Sequence, residues 1–557
     1  MKASDIRYVA FEGGGGKGIV YLGAIRALEA AGKLPLAKAD REGPDAANRL
    51  DGISGASAGA ITVYFLALGM GADAIDARTR ATDTRTGKPE FYGFYDDAQP
   101  GLYKGVTYRP GEGNAPTYVV DAPEVERETR PAAGASGEAL SVASGITTLF
   151  TGKPYLDRPL AEAAANKLYA LYRFVYPFTF IKTALRAISA RRKLRKAGAA
   201  NQLAEKLGEA PEDLNRYFYS LLFDRGLFSG INLRTYLQYA TVEELYYNFD
   251  VEISMEEAAR LTYCRFYELT KNDLRIAGTN VTRGIPVYFS KDLTPDFPII
   301  DSICMSMSIP FAFKPTLSQA WADMSQAADS AHNQRYHGFF NDGGTLNNLP
   351  IHAFDFAGEE ENFGKKVVKL RSDMFGVRCT GGNPADCGED EKFPFDPKYR
   401  SYLDALNKKN AERPKAERLK PLKPEDVEVC AVPKPFHIDM VFGPLSPLLA
   451  FAGNLFNTVM YTSEDGQIRS VEEFRQTTEL YSYDVKLFDF TIPESLSDFV
   501  QARAAIKLGA MIEIDKAAIL QLVIDNYYNA ETAAEIERYV DKAYERAARF
   551  RRDHGIP

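Results

Sequence analysis

Cysteine is scarce in this 557-residue chain, at five residues (Cys264, Cys304, Cys379, Cys387 and Cys430) spread thinly and odd in number. That scarcity excludes a disulfide-stapled scaffold and favours a reducing compartment or inert buried thiols. Only Cys379 and Cys387 lie near each other, and a lone C-x7-C pair is a poor zinc signature, so no metal and no cofactor is expected. Basic charge is not in excess either. A net charge of −8 argues against a general nucleic-acid binder. The first ten residues lack a basic stretch followed by an apolar one, so no secretory signal is expected. The longest uncharged apolar-rich stretch, Met440 to Ser463, is broken by Gly443, Pro444, Pro447, Gly453, Asn454 and Asn457, and reads as buried or cleft-lining rather than membrane-spanning. A cytoplasmic or peripheral-membrane location follows, with export by a route lacking a signal peptide left open.

What is present is a globular composition, 45% hydrophobic and 25% charged, in a chain long enough for one large elaborated domain or two to three units. Arg7–Glu12 reads as a short strand ending at glycines, and Ile19–Ala31 as a helix stopped by Gly32. A second strand and helix follow, over Leu50–Ser54 and Ala60–Leu68, closing at Gly69. Two βα units in seventy residues predict an α/β fold with a mainly parallel sheet. Thr82 to Gly152 reads as a surface excursion, Pro159 to Glu257 as helical, and Leu274–Thr282 and Pro286–Phe289 as strands. Asp296–Phe313 reads as a helix and a Pro-bounded segment, Tyr336–Phe340 as a strand, and Arg378–Lys423 as a polar insertion; the last sixty residues are helical, ending in an amphipathic helix over Ala530–Arg552.

Two glycine-dense turns carry the chemistry. Gly55-Ala56-Ser57-Ala58-Gly59 matches G-x-S-x-G, the tight strand-to-helix turn that exposes a nucleophilic serine. The helix that follows aims its positive N-terminal end at the same point. Gly13-Gly14-Gly15-Gly16-Lys17-Gly18 offers backbone N–H groups for a developing oxyanion. These residues also spell G-x-G-x-x-G, yet the acidic strand end that a dinucleotide fold wants some twenty positions on is absent: Lys33 to Asp40 holds Pro35 and no strand pattern. A Walker-type loop fails because Gly18, not Ser or Thr, follows Lys17. Lys17 is expected at the exposed start of a helix, without a catalytic role.

Ser57 needs a base. Of five histidines (His332, His337, His352, His437, His554), His352 or His437 could fill an α/β-hydrolase order, but neither sits in a recognisable turn after a strand. The turn Asp342-Gly343-Gly344 after an aromatic strand places a carboxylate at a loop tip, and desolvation in a cleft would lift its pKa into a useful range.

Taken in order, the motifs resemble those of the patatin-like phospholipases: Gly14-Gly15-Gly16-Lys17-Gly18, Gly55–Gly59 and Asp342-Gly343-Gly344. Leu227-Phe228-Ser229-Gly230 with Leu233 and Leu237, Asn280–Gly284, and Ser306-Met307-Ser308-Ile309-Pro310 are fainter parallels. The resemblance implies a patatin-like three-layer α/β/α fold with a mainly parallel central sheet and helical insertions. Its parts would be an N-terminal portion at 1–82, an insertion at 83–225, the rest of the core at 226–377, a polar insertion at 378–430, and a helical region at 431–557 that partly completes the core. It further implies a lipid acyl hydrolase with Ser57 as nucleophile, Asp342 as proton acceptor, the amides near Gly14–Gly16 as oxyanion hole, and no histidine. The 83–220 and 378–430 segments depart from the compact family pattern.

Lys167 to Lys196 carries nine basic residues and no acid, interleaved with Tyr169, Tyr172, Phe174, Tyr176, Phe178 and Phe180. That polarity suits an anionic membrane surface, or equally a buried aromatic helix with a solvated basic end. The competing functional class is a catalytically silent membrane- or partner-binding protein on the same scaffold; the oligomeric state is not readable.

Overall fold

A computed structural model describes residues 1–83, 87, 89–96, the backbone of 106–110 and 116–120, 220–221, 224–327, 329–355, 370–380, 397–412, 421, 470–483, 485–529 and 531–556. The apolar run Tyr8–Phe11 forms strand β1. A single-turn helix over Gly15–Ile19 then leads into helix α1, Val20–Ala30, which stops at Gly32 with φ +70°. Strand β2, Gly52–Gly55, pairs in parallel with β1 and hands over through Ser57 to helix α2, Ala58–Ala67. Further along come α3 (Ile231–Phe249), β3 (Asp273–Asn280), β4 (Ile285–Phe289), α4 (Ile299–Ser306), β5 (Thr316–Ser318), β6 (Gly338–Asn341) and β7 (Met374–Thr380). Helix α5 (Pro397–Ala411), β8 (Thr477–Tyr481) and helices α6 (Glu494–Met511), α7 (Lys516–Tyr527) and α8 (Ala533–Asp553) complete the described chain.

The central sheet runs β8-β7-β1-β2-β3-β6-β5, with β4 also paired to β3. The five strands from β8 to β3 are mutually parallel; β4, β5 and β6 join antiparallel. Because side chains alternate across a strand, Val9 and Phe11 enter the large core with α1, α2, α3 and α6. Ala10 faces the other way, into a smaller cluster with Leu349, Ile351, Ala353, Phe354 and Met374. Helix α6 is buried along most of its length, and its backbone meets α1 at Gly23, where a Cβ would lie 1.9 Å from the Gln501 carbonyl oxygen. The C-terminal region thus supplies both a sheet strand and the helix covering α1.

One feature of β3 positions everything that follows. A strand has two edges, and β4 occupies one of them over Ile276–Asn280. The other edge is shared: β2 lies along Asp273–Ile276 and runs parallel, whereas β6 lies along Thr279–Asn280 and runs antiparallel. The C-terminal ends of β2 and β6 therefore face each other across Ala277 and Gly278. The residues that follow them are brought together from opposite directions.

Several expectations are refined. Helix α2 begins two residues earlier than its apolar pattern suggested, and within Asp296–Phe313, read as a helix and a Pro-bounded segment, the helix spans Ile299–Ser306 and the segment after it includes a short strand at Phe311–Phe313. The stretch read as an irregular excursion contains an antiparallel strand pair, Val106–Pro110 with Pro116–Val120. The polar insertion does not begin at Arg378: Arg378, Cys379 and Thr380 continue β7 between β1 and β8, and polar composition there reflects the strand's ion pair from Arg378 to Glu479, 2.5 Å. Lys17 is buried, not exposed, because the glycine turn around it is covered by the segment Lys486–Asp489. Lys167–Lys196, Met440–Ser463, His437, Cys387 and Cys430 lie outside the described residues. Among the described residues no helix is long and apolar enough to cross a membrane.

Candidate active site

Ser57 ends the β2 turn with φ +50° and ψ −124°, a backbone region that L-residues avoid and that costs on the order of 1–3 kcal/mol. Small neighbours make the turn possible. A Cβ on Gly59 would strike the Phe11 carbonyl oxygen at 2.3 Å, so the first turn of α2 lies directly on the end of β1. The strain throws the Ser57 side chain toward the end of β6. There its Oγ donates a 2.7 Å hydrogen bond to Asp342 Oδ2, across 285 positions of sequence.

Asp342 sits in unstrained backbone, with φ −42° and ψ 131°, and its Oδ1 accepts the N–H of Gly344 at 2.7 Å. Its side chain is fully buried. Burial opposes the charged form more than the two hydrogen bonds favour it, and the carboxyl is pushed up to about 7. A carboxylate at that value is half charged near neutrality, where an ordinary aspartate would be a far weaker base.

The segment that closes α4 joins the two halves. Ser306 Oγ accepts the Ser57 N–H at 2.9 Å, and the Ser308 carbonyl accepts the Asp342 N–H at 3.0 Å. Between them Met307 places its Sδ 3.8 Å from Ser57 Oγ. Met307 and Ser308 also line a small cavity of about 20 Å³ with Gly230, Phe313 and Lys314, a lining that does not include Ser57 or Asp342. Neither Ser306 nor Met307 carried a sequence signal for contact with the nucleophile. The motif around them was visible only as a likeness.

The glycine turn lies alongside. A Cβ on Gly13 would be 2.8 Å from Ser57 Cβ, and one on Gly18 would be 3.0 Å from Ala58 Cβ. The Gly16 amide is spent on the Leu487 carbonyl and the Gly13 amide on the Asn348 carbonyl. Gly14 and Gly15 precede the first hydrogen-bonded turn of their helix, closed by Lys17 N–H to Gly14 O, so their N–H groups are not used by it. Ala58, the first residue of α2, is in the same position, since the earliest bond there comes from Ala60. The Gly16 amide is therefore committed to another carbonyl, while the starts of the two helices leave the N–H groups of Gly14, Gly15 and Ala58 out of their first turns. Cys379 packs below, its buried Sγ 2.2 Å from where a Gly14 Cβ would be.

Among the described residues, His332 and His352 stand apart from the dyad. His352 is held between Asp355 (2.6 Å) and Glu473 (3.0 Å), and His332 bonds the Leu293 carbonyl. Neither is paired to Ser57. Among the described residues no group of three or more His, Cys, Asp and Glu side chains converges as a metal site.

A family model for patatin-like phospholipases matches residues 9–355, more than half of the chain and the span containing all three motifs. Among solved structures, the crystal structure of VipD from Legionella pneumophila is similar at 14% identity over 99% of this chain and 86% of that one, with a TM-score of 0.29. No curated protein matches. On the family match, this chain belongs to the patatin-like phospholipases, a family of lipid hydrolases with this mainly parallel sheet.

Proposed function

We propose that this protein hydrolyses fatty-acyl esters of membrane phospholipids or lysophospholipids through a Ser57–Asp342 dyad and an acyl-enzyme. The observation that carries the reading is the 2.7 Å hydrogen bond between a strained serine and a buried, half-charged carboxyl. Asp342 takes the Ser57 proton as Oγ attacks the ester carbonyl, and the N–H groups of Gly14, Gly15 and Ala58 take the charge that forms on the carbonyl oxygen. The proton passes to the leaving alcohol. Water, deprotonated by Asp342, then releases the fatty acid. The basic and aromatic stretch Lys167–Lys196 is the candidate for contact with an anionic lipid surface.

The test pairs fluorophosphonate labelling with fatty-acid release from phospholipid vesicles. Wild type labels and releases; Ser57→Ala does neither, and Asp342→Asn loses release while retaining its fold. Full release by either variant sinks the dyad; no labelling and no release by wild type on any lipid leaves a silent scaffold.

A further inference from the structure

Asn348 is fully buried and lies six residues past Asp342, in the turn that carries the base. It grips the glycine turn twice. Its carbonyl oxygen accepts the Gly13 N–H at 3.0 Å, and its side-chain Nδ2 donates to the Gly13 carbonyl at 3.1 Å. The second bond fixes the amide's orientation, because only nitrogen can donate to a carbonyl. Oδ1 must then point the other way, where it has no hydrogen-bond partner among the described residues.

Its direction is defined by two glycines. A Cβ on Gly13 would lie 2.4 Å from Asn348 Oδ1 and 2.8 Å from Ser57 Cβ. One on Gly344 would lie 2.4 Å from the same Oδ1 and 2.9 Å from Asp342 Oδ1. Adding the two legs in each case, Oδ1 is no more than about 5.2 Å from Ser57 Cβ and about 5.3 Å from Asp342 Oδ1. A water bonded to Asn348 Oδ1 reaches that far, since two hydrogen bonds to it span about 5.6 Å, and Asp342 Oδ2, the oxygen that acylation frees, belongs to the same carboxyl. Other buried polar atoms also lack a partner, Asn341 Oδ1 and Thr345 Oγ1 in the same turn among them, but Asn348 Oδ1 is the one that Gly13 and Gly344 place beside both halves of the dyad.

We infer that Asn348 is a positioning residue for deacylation: its Oδ1 holds the water that cleaves the acyl-enzyme. This rests on the dyad reading above. Once Ser57 Oγ carries the acyl group it no longer donates to Asp342, and the carboxylate is free. The water gives one hydrogen bond to Asn348 Oδ1 and its other proton to Asp342, while its oxygen bonds to the acyl carbon. The tetrahedral adduct collapses by breaking the bond from carbon to Ser57 Oγ, which recovers the proton from Asp342. Fatty acid leaves and the free serine returns. Acylation uses no water, so Asn348 Oδ1 has no part in it.

The two steps are separable with a p-nitrophenyl ester in stopped flow. Asn348→Leu and Asn348→Ser also lose the Nδ2 bond to the glycine turn, so the p-nitrophenol burst should slow by no more than about tenfold. The steady-state rate should fall at least about tenfold further, and intact mass should show Ser57 carrying the acyl group. Added hydroxylamine, a nucleophile that needs no positioning, should restore turnover. The inference is overturned if burst and steady state fall by the same factor, if neither changes, or if both variants unfold, since the amide would then serve only to tie the glycine turn to the base. A wild type that shows neither Ser57-dependent turnover of the ester nor an acyl adduct on Ser57 fails the dyad itself, a distinct outcome.

Discussion

The two halves of the dyad are both held away from relaxation, but by different physics. Ser57 is costly in its backbone: φ +50° on a residue with a Cβ, in a turn squeezed between β1 and α2. Asp342 has an ordinary backbone and is costly in its electrostatics, a carboxyl with no exposure and a value pushed up to about 7 by burial. The first cost is independent of pH. The second disappears when the carboxyl is protonated. This asymmetry gives each half its own signature in rate and stability.

The largest effect is expected in rate. Asp342→Asn keeps the shape and can still accept the Gly344 N–H, yet it cannot take a proton; hydrolysis should fall by about 10³-fold or more at pH 8, with the ratio to wild type shrinking as pH falls below about 7. In wild type the base works only when deprotonated, so log kcat/KM should climb as pH rises toward about 7 and level off above it. A flat profile from pH 5 to 9 would show that another group takes the proton.

Stability should move in the opposite sense. Burial raises the folded pKa of Asp342 above that of the unfolded chain, so the folded state holds the proton more tightly between them. Folding is thus unpenalised below the unfolded value near 3.8, and stability is lost as pH rises to about 7. Asp342→Asn should remove that loss, with a gain on the order of a few kcal/mol at pH 8 that is nearly gone at pH 4, read by denaturant melts at both. Ser57→Gly relieves about 1 kcal/mol of strain at any pH but also removes the donor that favours the charged carboxyl, so its net effect should be less favourable at pH 8 than at pH 4, the opposite trend to Asp342→Asn. Equal pH dependence in the two variants would erase the distinction drawn between the halves.

The same asymmetry governs what could be read from sequence. The Ser57 half is local: strand, turn and helix are contiguous, and glycines at Gly55 and Gly59 mark a turn that tolerates no side chains, so its elements were legible to within two residues. The Asp342 half depends on the chain's far parts. Its motif could be found, but nothing local says that β6 ends against β2 on one edge of β3, which is what brings 342 to 57. Ser306 and Asn348 were not recognisable as site residues, because a serine at a helix end and an asparagine in a loop fit many bland roles. Arg378 misled for a related reason: an ion-paired residue in a central strand looks polar in sequence. Lys17 did too, since the segment that buries it arrives from some 470 residues later.

The finest test falls on the segment that spans both halves. Ser306 reaches Ser57 through its hydroxyl, whereas Ser308 reaches Asp342 through its backbone carbonyl, its own Oγ being bonded to Cys304 O at 2.8 Å. Side-chain deletion should therefore separate them. Ser306→Ala leaves the Ser57 N–H buried and unpaired at a cost of about 1–3 kcal/mol, which loosens the strained turn; kcat should drop about tenfold with little change in KM. Ser308→Ala leaves the Asp342 contact intact and should stay within about twofold of wild type. Equal losses in the two variants would mean that the α4 end acts through packing around Met307 and not through the bond to the nucleophile's amide. The base would then be positioned by its own turn alone.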